Sequence, residues 1–360
     1  VSKIKPLILG DLKIEKPIIQ GGMGVRVSTS ALASAVANCG AAGTIASVGL
    51  APDTPEHRVD VPKSSREHFI KEIRTARKKT NGVIGVNIMV ALSNFEDLAR
   101  TSASEGVDYI ISGAGLPISL PEYTEGSVTK LIPLISSARG LQVILKTWKR
   151  RYNRLPDAVV VEGPLSGGHI GNHTLEELNT GKFKSLEDSL KEVVGLVKEY
   201  ELLYNKKIPV IAAGGIFDGK DMAKFIAMGA GGVQIGTRFI LTEECSAAQA
   251  YKELFITSTK EDLVFIQSPV GMPAKVIRTK FVDDMEAGGR RPISCVYQCL
   301  RTCNPSKVPY CIARVLIDAV EGDVDNGLVF ASSYIDRVDK IVTCKELINE
   351  LMSDAEAALA

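Results

Sequence analysis

Histidine is scarce in this chain, and one of its four copies stands where chemistry is easiest to assemble. The run Val160-Val161-Glu162-Gly163-Pro164-Leu165-Ser166-Gly167-Gly168-His169-Ile170-Gly171 sets His169 directly behind a glycine pair that follows a short apolar stretch. Imidazole is the side chain whose ordinary pKa lets it both give and take a proton near neutrality. General acid–base work is therefore the chemistry His169 could do, and a loop histidine that only bonds its neighbours is the plainer alternative. His173 is a weaker candidate, while His57 and His68 fall in polar stretches expected to be exposed.

Three glycine turns close similar apolar runs: Gly167-Gly168 after Val161-Glu162, Gly214-Gly215 after Ile211-Ala212-Ala213, and Gly236-Thr237 after Val233-Gln234-Ile235. Without a Cβ, backbone N–H groups can approach an anion closely, and a following helix start adds a favourable dipole. One such pair could simply turn the chain. Three at corresponding places point to a phosphate-bearing cofactor or substrate. Neither Gly-x-Gly-x-x-Gly nor Gly-x-x-x-x-Gly-Lys-Ser/Thr occurs at these turns, which disfavours a dinucleotide fingerprint or an NTP-binding loop. Glu162 could bond a cofactor hydroxyl, orient His169 or form an ion pair. Asn87, in Gly85-Val86-Asn87-Ile88-Met89, could donate to and accept from a ring edge, or bond a neighbouring loop.

The elements that must position these residues follow from alternation. Short apolar stretches at 17–20, 42–46, 83–89, 108–112, 131–135, 158–162, 209–213 and 232–235 read as strands. Helical stretches lie between them at 28–38, 67–79, 94–105, 141–152, 185–204 and 218–228, and a closing helix is read at 246–255. Each buried parallel strand needs a helix to cover it, so the pattern predicts an α/β chain forming a (β/α)8 TIM barrel. A doubly wound open sheet fits the same alternation. Ser28 is expected to cap the first helix. From about Ile266 the alternation fails, which divides the chain into a barrel over 1–260 and a helical, cysteine-containing extension over 261–360 packed on it, with a helix near 307–320. The loops 49–63 and 116–128 are expected to shape the substrate pocket, with Pro52, Pro55 and Pro62 stiffening its rim.

Cys295, Cys299, Cys303 and Cys311 stand four, four and eight residues apart. On a helix that spacing shares a face, as a packed core stripe would, or as thiols converging on zinc or an iron–sulfur cluster would. The two-residue gaps of zinc knuckles and the common ferredoxin spacings are missing. Burial is the preferred reading, with metal binding and redox sensing as the alternatives, and no metal ligand set is assigned.

Composition narrows the remaining classes. The chain has 360 residues, 45% of them hydrophobic, enough for a large core. Lys and Arg total 43 against 42 Asp and Glu, so a net charge of +1 offers no field for gripping nucleic acid. No apolar run approaches the ~20 residues of a membrane span. Residues 1–10 lack the apolar core of a secretion signal, and seven scattered cysteines do not resemble a disulfide framework, so a cytoplasmic location is expected. The oligomeric state is open, a homo-oligomer included.

The motifs Pro17-Ile18-Ile19-Gln20-Gly21-Gly22-Met23, Gly85-Val86-Asn87, Gly167-Gly168-His169, Ile211-Ala212-Ala213-Gly214-Gly215-Ile216 and Gln234-Ile235-Gly236-Thr237-Arg238-Phe239 resemble the nitronate monooxygenase family. The likeness extends to the similar flavin-dependent enoyl-acyl-carrier-protein reductases and spans about residues 6 to 245. It implies FMN as cofactor, with its ring near Gly22, Met23 and Asn87 and its phosphate near Gly168, Gly215, Gly236 and Thr237. Glu162, Gly167, Gly214 and Gln234 complete the implied cofactor set. His169 is implied as the base of an enzyme that oxidises alkyl nitronates with O2 to carbonyl compounds and nitrite. The alternatives are an NAD(P)H-dependent reductase of enoyl thioesters or quinones, and a non-catalytic flavoprotein sensor or scaffold. A sugar-phosphate isomerase on the same barrel would be colourless. The stretch Glu162-Gly163-Pro164-Leu165-Ser166 departs from the acidic residue and alanine common in relatives, and the cysteine segment lies outside the family core.

Overall fold

A computed structural model describes residues 3–360, so the reading of residues 1–10 falls partly outside it. Eight parallel strands follow one another through the chain: β1 (Ile18–Gln20), β2 (Gly43–Ala46), β3 (Ile84–Met89), β4 (Tyr109–Gly113), β5 (Lys130–Ile135), β6 (Val159–Glu162), β7 (Val210–Ala213) and β8 (Gly232–Ile235). They are the eight stretches marked by apolar alternation, each within a residue or two of its expected ends. Neighbours pair in parallel register, for example Ala213 with Glu162 and Gln234 with Ala213. A single parallel bridge, Ile19 to Ala42, and the Gln20 N–H donated to Ala42 O at 2.9 Å join β1 to β2. That closure decides for the barrel against the open sheet.

Two apolar layers hold the barrel. One fills its interior and lower end with Ile19, Tyr109, Ile111, Ile132, Val160 and Ile211. A short hairpin, Leu7–Leu9 with Leu12–Ile14, plugs that end through Leu7, Leu9 and Ile14. The other layer lies between strands and helices, where Trp148 is fully buried and its indole N–H is donated to Pro117 O at 3.0 Å. The helices start largely where their capping residues direct. Asp218 and Thr343 form capping boxes with Asp221 and Glu346.

Ser28 departs from its expected role. The first helix begins at Ser30 with Thr29 before it, and the Ser28 hydroxyl instead donates to Gly21 O at 3.0 Å and accepts from Met23 N–H at 2.9 Å. Pro55 and Pro62 open the helices Pro55–Val59 and Val61–Lys79, where a missing N–H costs nothing. His57, expected to be exposed, is buried and stacks on Tyr297 with ring centroids 5.7 Å apart. His68 is half-buried, its Nδ1 2.9 Å from Ser64 O.

The C-terminal segment carries the expected helix as Ile312–Val320, together with Lys280–Glu286 and Cys344–Ala358. It also carries a sheet that periodicity did not announce: β9 (Leu263–Gln267), β10 (Pro273–Ile277) and β11 (Val329–Phe330), all antiparallel. The Gly168–His169 pair joins this sheet through β10, with His169 opposite Ala274. Helix Cys344–Ala358 packs on helix Gly219–Ala227 so closely that a Cβ on Gly219 would strike the Asp354 side chain at 2.5 Å. No helix among the described residues is long and apolar enough to cross a membrane.

Candidate active site

At the C-terminal ends of the barrel strands lies a cavity of about 800 Å³. His169 and every residue of the implied cofactor set line it: Gly22, Met23, Asn87, Glu162, Gly167, Gly168, Gly214, Gly215, Gln234, Gly236 and Thr237. They arrive from the ends of five strands and the turns behind them, the face on which barrels of this kind assemble their sites.

Buried polar side chains shape the first turn. Gln20 at the end of β1 donates to Gly21 O and to Ser28 Oγ, and its Oε1 accepts the Thr44 N–H at 2.9 Å. The Gly21 N–H is donated to Ile235 O at 2.8 Å, tying this turn to β8. Gly22 stands against Asn87 so closely that a Cβ would collide with the Asn87 side chain, so the glycine there is a steric requirement. Gly214, at φ +77°, likewise has no room, since a Cβ would lie 2.6 Å from Gly163 O. Gly215 has a φ of +115°. Gly236 differs: the nearest atom to a Cβ there is Met23 Sδ at 3.6 Å, so its bareness serves the cavity rather than the packing.

Three buried polar atoms lining the cavity have no partner in the protein: Ser47 Oγ, Ser166 Oγ and Gln234 Oε1. Such groups are costly unless something bonds them. The Glu162 carboxyl shows no hydrogen bond within the protein, and burial pushes its pKa up to about 7. It does not reach His169. The His169 Nε2 lies 2.7 Å from Ser268 Oγ in the turn between β9 and β10, and its ring meets Phe330 edge-on at 5.0 Å. Burial pushes the ring pKa down to about 4, so it is neutral across the ordinary pH range.

The cavity wall corrects the expectation for the loops. No residue of 49–63 lines it, and from 116–128 only Leu116 does. The wall is built instead by the C-terminal segment, through Val270, Met272, Cys299, Leu300, Ile312, Ala313, Leu316, Phe330 and Ser332. Sequence reasoning missed all of these. Asn172 also lines the cavity and donates to Ser136 Oγ at 2.7 Å, whereas His173 turns away to Phe183, 6.2 Å between ring centroids.

A closed barrel with glycine turns, orphaned polar atoms and one neutral histidine gathered at its C-terminal mouth has the site architecture of (β/α)8 enzymes. The profile of the nitronate monooxygenase family matches residues 5–354, and the chain belongs to that family of oxidoreductases. Among similar proteins is the (3aS,4S,5R,7aS)-5-hydroxy-7a-methyl-1-oxo-octahydro-1H-indene-4-carboxyl-CoA dehydrogenase of Mycobacterium tuberculosis. It is 26% identical over 372 aligned positions, covering 95% of this chain and 93% of the relative. A probable nitronate monooxygenase of Staphylococcus saprophyticus is 26% identical over 307 positions, covering 79% and 81%. The solved structure of FabK from Thermotoga maritima superposes with a TM-score of 0.74 at 29% identity, covering 96% of this chain and 94% of that one.

Proposed function

We propose that this chain is an FMN-dependent oxidoreductase that takes reducing equivalents from NAD(P)H and delivers them to the double bond of an enoyl thioester. The observation that carries the reading is the cavity. Its volume of about 800 Å³ lies near the upper end of the usual ~300–1,000 Å³ for ligand sites. Leu116, Val143, Val270, Met272, Leu300 and Leu316 give it an apolar lining suited to an acyl chain. The carboxyl-CoA dehydrogenase and FabK, similar over nearly the whole chain, support the same choice.

The residues present fit FMN. Gly214, Gly215, Gly236 and Thr237 would offer backbone N–H groups to a phosphate, Ser166, Glu162 and Gln234 would meet ribityl hydroxyls, and Gly22, Met23 and Asn87 would border the ring. Bound there, the flavin supplies hydride transfer in two directions. The chain's own part is placement. Neutral His169 brings no charge to the ring and can bond a thioester carbonyl or hold a proton at its free nitrogen, as neutral imidazoles do elsewhere. Ser268 holds the ring by its other nitrogen. Ser268→Ala is expected to lower kcat about three- to tenfold, in line with one hydrogen bond of ~1 kcal/mol. Losing the hydrogen bond that orients the ring should also shift the acidic limb of the pH profile. An unchanged profile would leave Ser268 with packing alone.

Glu162 gives a pH test. Its carboxyl is neutral below about 7 and becomes an anion above, where it repels the flavin phosphate. FMN affinity should therefore fall as pH rises through 7, and Glu162→Gln should flatten that dependence in a fluorescence titration.

The second reading is the nitronate monooxygenase itself, favoured by the family match over residues 5–354. In it His169 acts as base toward the nitroalkane or nitronate, and O2 replaces the thioester as acceptor. The visible spectrum under anaerobic conditions separates the two. Flavin bands that bleach at once with NADH or NADPH support the reductase. Bands that persist until an alkyl nitronate is added decide for the monooxygenase, and a colourless protein that refuses FMN excludes both.

A further inference from the structure

The flavin reading leaves the cysteine segment without a task, and the fold removes the explanation its spacing first invited. Residues 287–311 contain no helix, so the four-residue spacing of Cys295, Cys299 and Cys303 is not a packed stripe. None of the four thiols is fully buried: Cys295 is exposed and Cys299, Cys303 and Cys311 are half-buried, all unpaired. Free cysteines placed only for packing are among the most buried of residues.

The segment is instead a loop shaped to gather them. At its base the Arg291 N–H is donated to Pro309 O at 2.9 Å, which returns the chain so that Cys311, just before helix Ile312–Val320, rejoins the first three. Gln298, at φ +43°, turns the backbone between Cys295 and Cys299. The loop is pinned to the barrel behind β3, where Cys299 O accepts the Ser93 N–H at 3.1 Å and Arg301 N–H is donated to Ala91 O at 3.1 Å. Cys299 and Cys311 pack against one small apolar cluster of Val25, Val296, Tyr297, Ala313 and Ile317, and Cys299 and Cys303 share the edge of the main core, which brings the thiols within electrostatic reach of one another and of Cys295.

Charge points the same way. Between Ala287 and Ile317 the sequence holds Arg290, Arg291, Arg301, Lys307 and Arg314 and no acidic residue. These cations share a stretch of chain with four sulfurs that would all be anionic as metal ligands, although Arg314 is itself paired with Asp318 and Asp53, and a thiolate cluster carries net negative charge. Among the described residues, no three His, Cys, Asp or Glu side chains close on a single metal ion. A zinc site, with its short bonds to one centre, is therefore not the fit. A cubane cluster holds its four thiolates further apart, around four irons.

We propose that Cys295, Cys299, Cys303 and Cys311 bind a four-iron, four-sulfide cluster at the wall of the barrel cavity. Cys299 belongs to that wall, so the cluster would stand beside the candidate active site. The site does not depend on the flavin assignment, because its ligands lie in the C-terminal segment.

The test uses the full chain, reconstituted anaerobically with ferrous iron and sulfide and then freed of loose metal. About four irons and four acid-labile sulfides per chain are expected, with a paramagnetic signal on one-electron reduction. Cys303→Ser and Cys311→Ser should each lose iron and signal while binding FMN as before, and Cys39→Ser, far from the loop in sequence, should keep both. A chain that takes up no iron, one that holds a single zinc, or a Cys303→Ser/Cys311→Ser double variant that keeps the full cluster would each overturn the proposal. If the serine variants fail to fold, the iron and sulfide content of the unmodified chain still decides.

Discussion

Replacing His169 by alanine should leave FMN bound and lower turnover by about 10² or more, the scale of a lost general acid–base group. The two halves of that expectation rest on different contacts. The cofactor set comes from the ends of the barrel strands and the turns behind them, and none of its members hydrogen-bonds the imidazole, whose partner is Ser268 Oγ at 2.7 Å. On the proposed reading, removing the ring would therefore strip the substrate of a polar partner without opening the flavin cradle. The apo protein should not suffer greatly either, since the ring has only the Ser268 bond and an edge contact to Phe330. The folded state also holds this ring neutral at a cost. With a pKa near 4 against an ordinary 6.5, it favours the unfolded chain as pH falls from about 6.5 toward 4. His169→Ala should accordingly melt less steeply with acid than the unmodified chain. Rapid mixing of the variant with NADPH and a thioester would show flavin reduced at the usual rate but reoxidised slowly. Wild-type turnover would remove His169 from the mechanism.

The second large effect is expected at Gly236. Its backbone, at φ −106° and ψ −77°, is open to any residue, and a methyl group would touch only Met23 Sδ at 3.6 Å. Gly236→Ala should therefore fold and melt as the parent does. The methyl would nevertheless stand in the space where the phosphate needs close approach of backbone N–H groups. Losing one charge-assisted bond of ~1.5–3 kcal/mol weakens FMN binding about ten- to a hundredfold. Gly214→Ala provides the contrast. There φ is +77° and the added carbon meets Gly163 O at 2.6 Å, so the fold itself is strained, by ~1–2 kcal/mol from the backbone conformation alone. Equilibrium dialysis of FMN alongside thermal melts separates the two. Unaltered affinity in Gly236→Ala would move the phosphate elsewhere.

Much of the barrel and of the strand-end lining of the cavity was legible in the residues, because both are local. A buried parallel strand writes itself as a short apolar run, and the glycine turn that lines the cavity sits directly behind it, as at Ala213-Gly214-Gly215. The C-terminal wall of the cavity was not legible, because it is assembled over long distances in the chain. His169 finds Ser268 ninety-nine residues away, and β10 pairs with Gly168–His169 through backbone bonds that any sequence can make. Periodicity also misled in two places. The spacing of Cys295, Cys299 and Cys303 mimics a helix that does not form, and the polar flanks of His57 hide that Tyr297 covers its ring. Ser28 shows the same limit on a smaller scale, since a capping residue and a turn-bonding residue look alike until Gly21 and Met23 are in place.

One pairing described above divides the molecule's labour. On the proposed reading the barrel supplies the residues that would border the cofactor, while β10 grips the strand that presents His169 and the segment around it adds Val270, Met272 and Phe330 to the cavity wall. Cofactor binding and much of the substrate wall would then be encoded in separate stretches of one gene. A chimera that keeps this barrel but takes residues 263–332 from a relative should inherit the relative's substrate range with its flavin undisturbed, and drift in that stretch can open new substrates without relearning the chemistry.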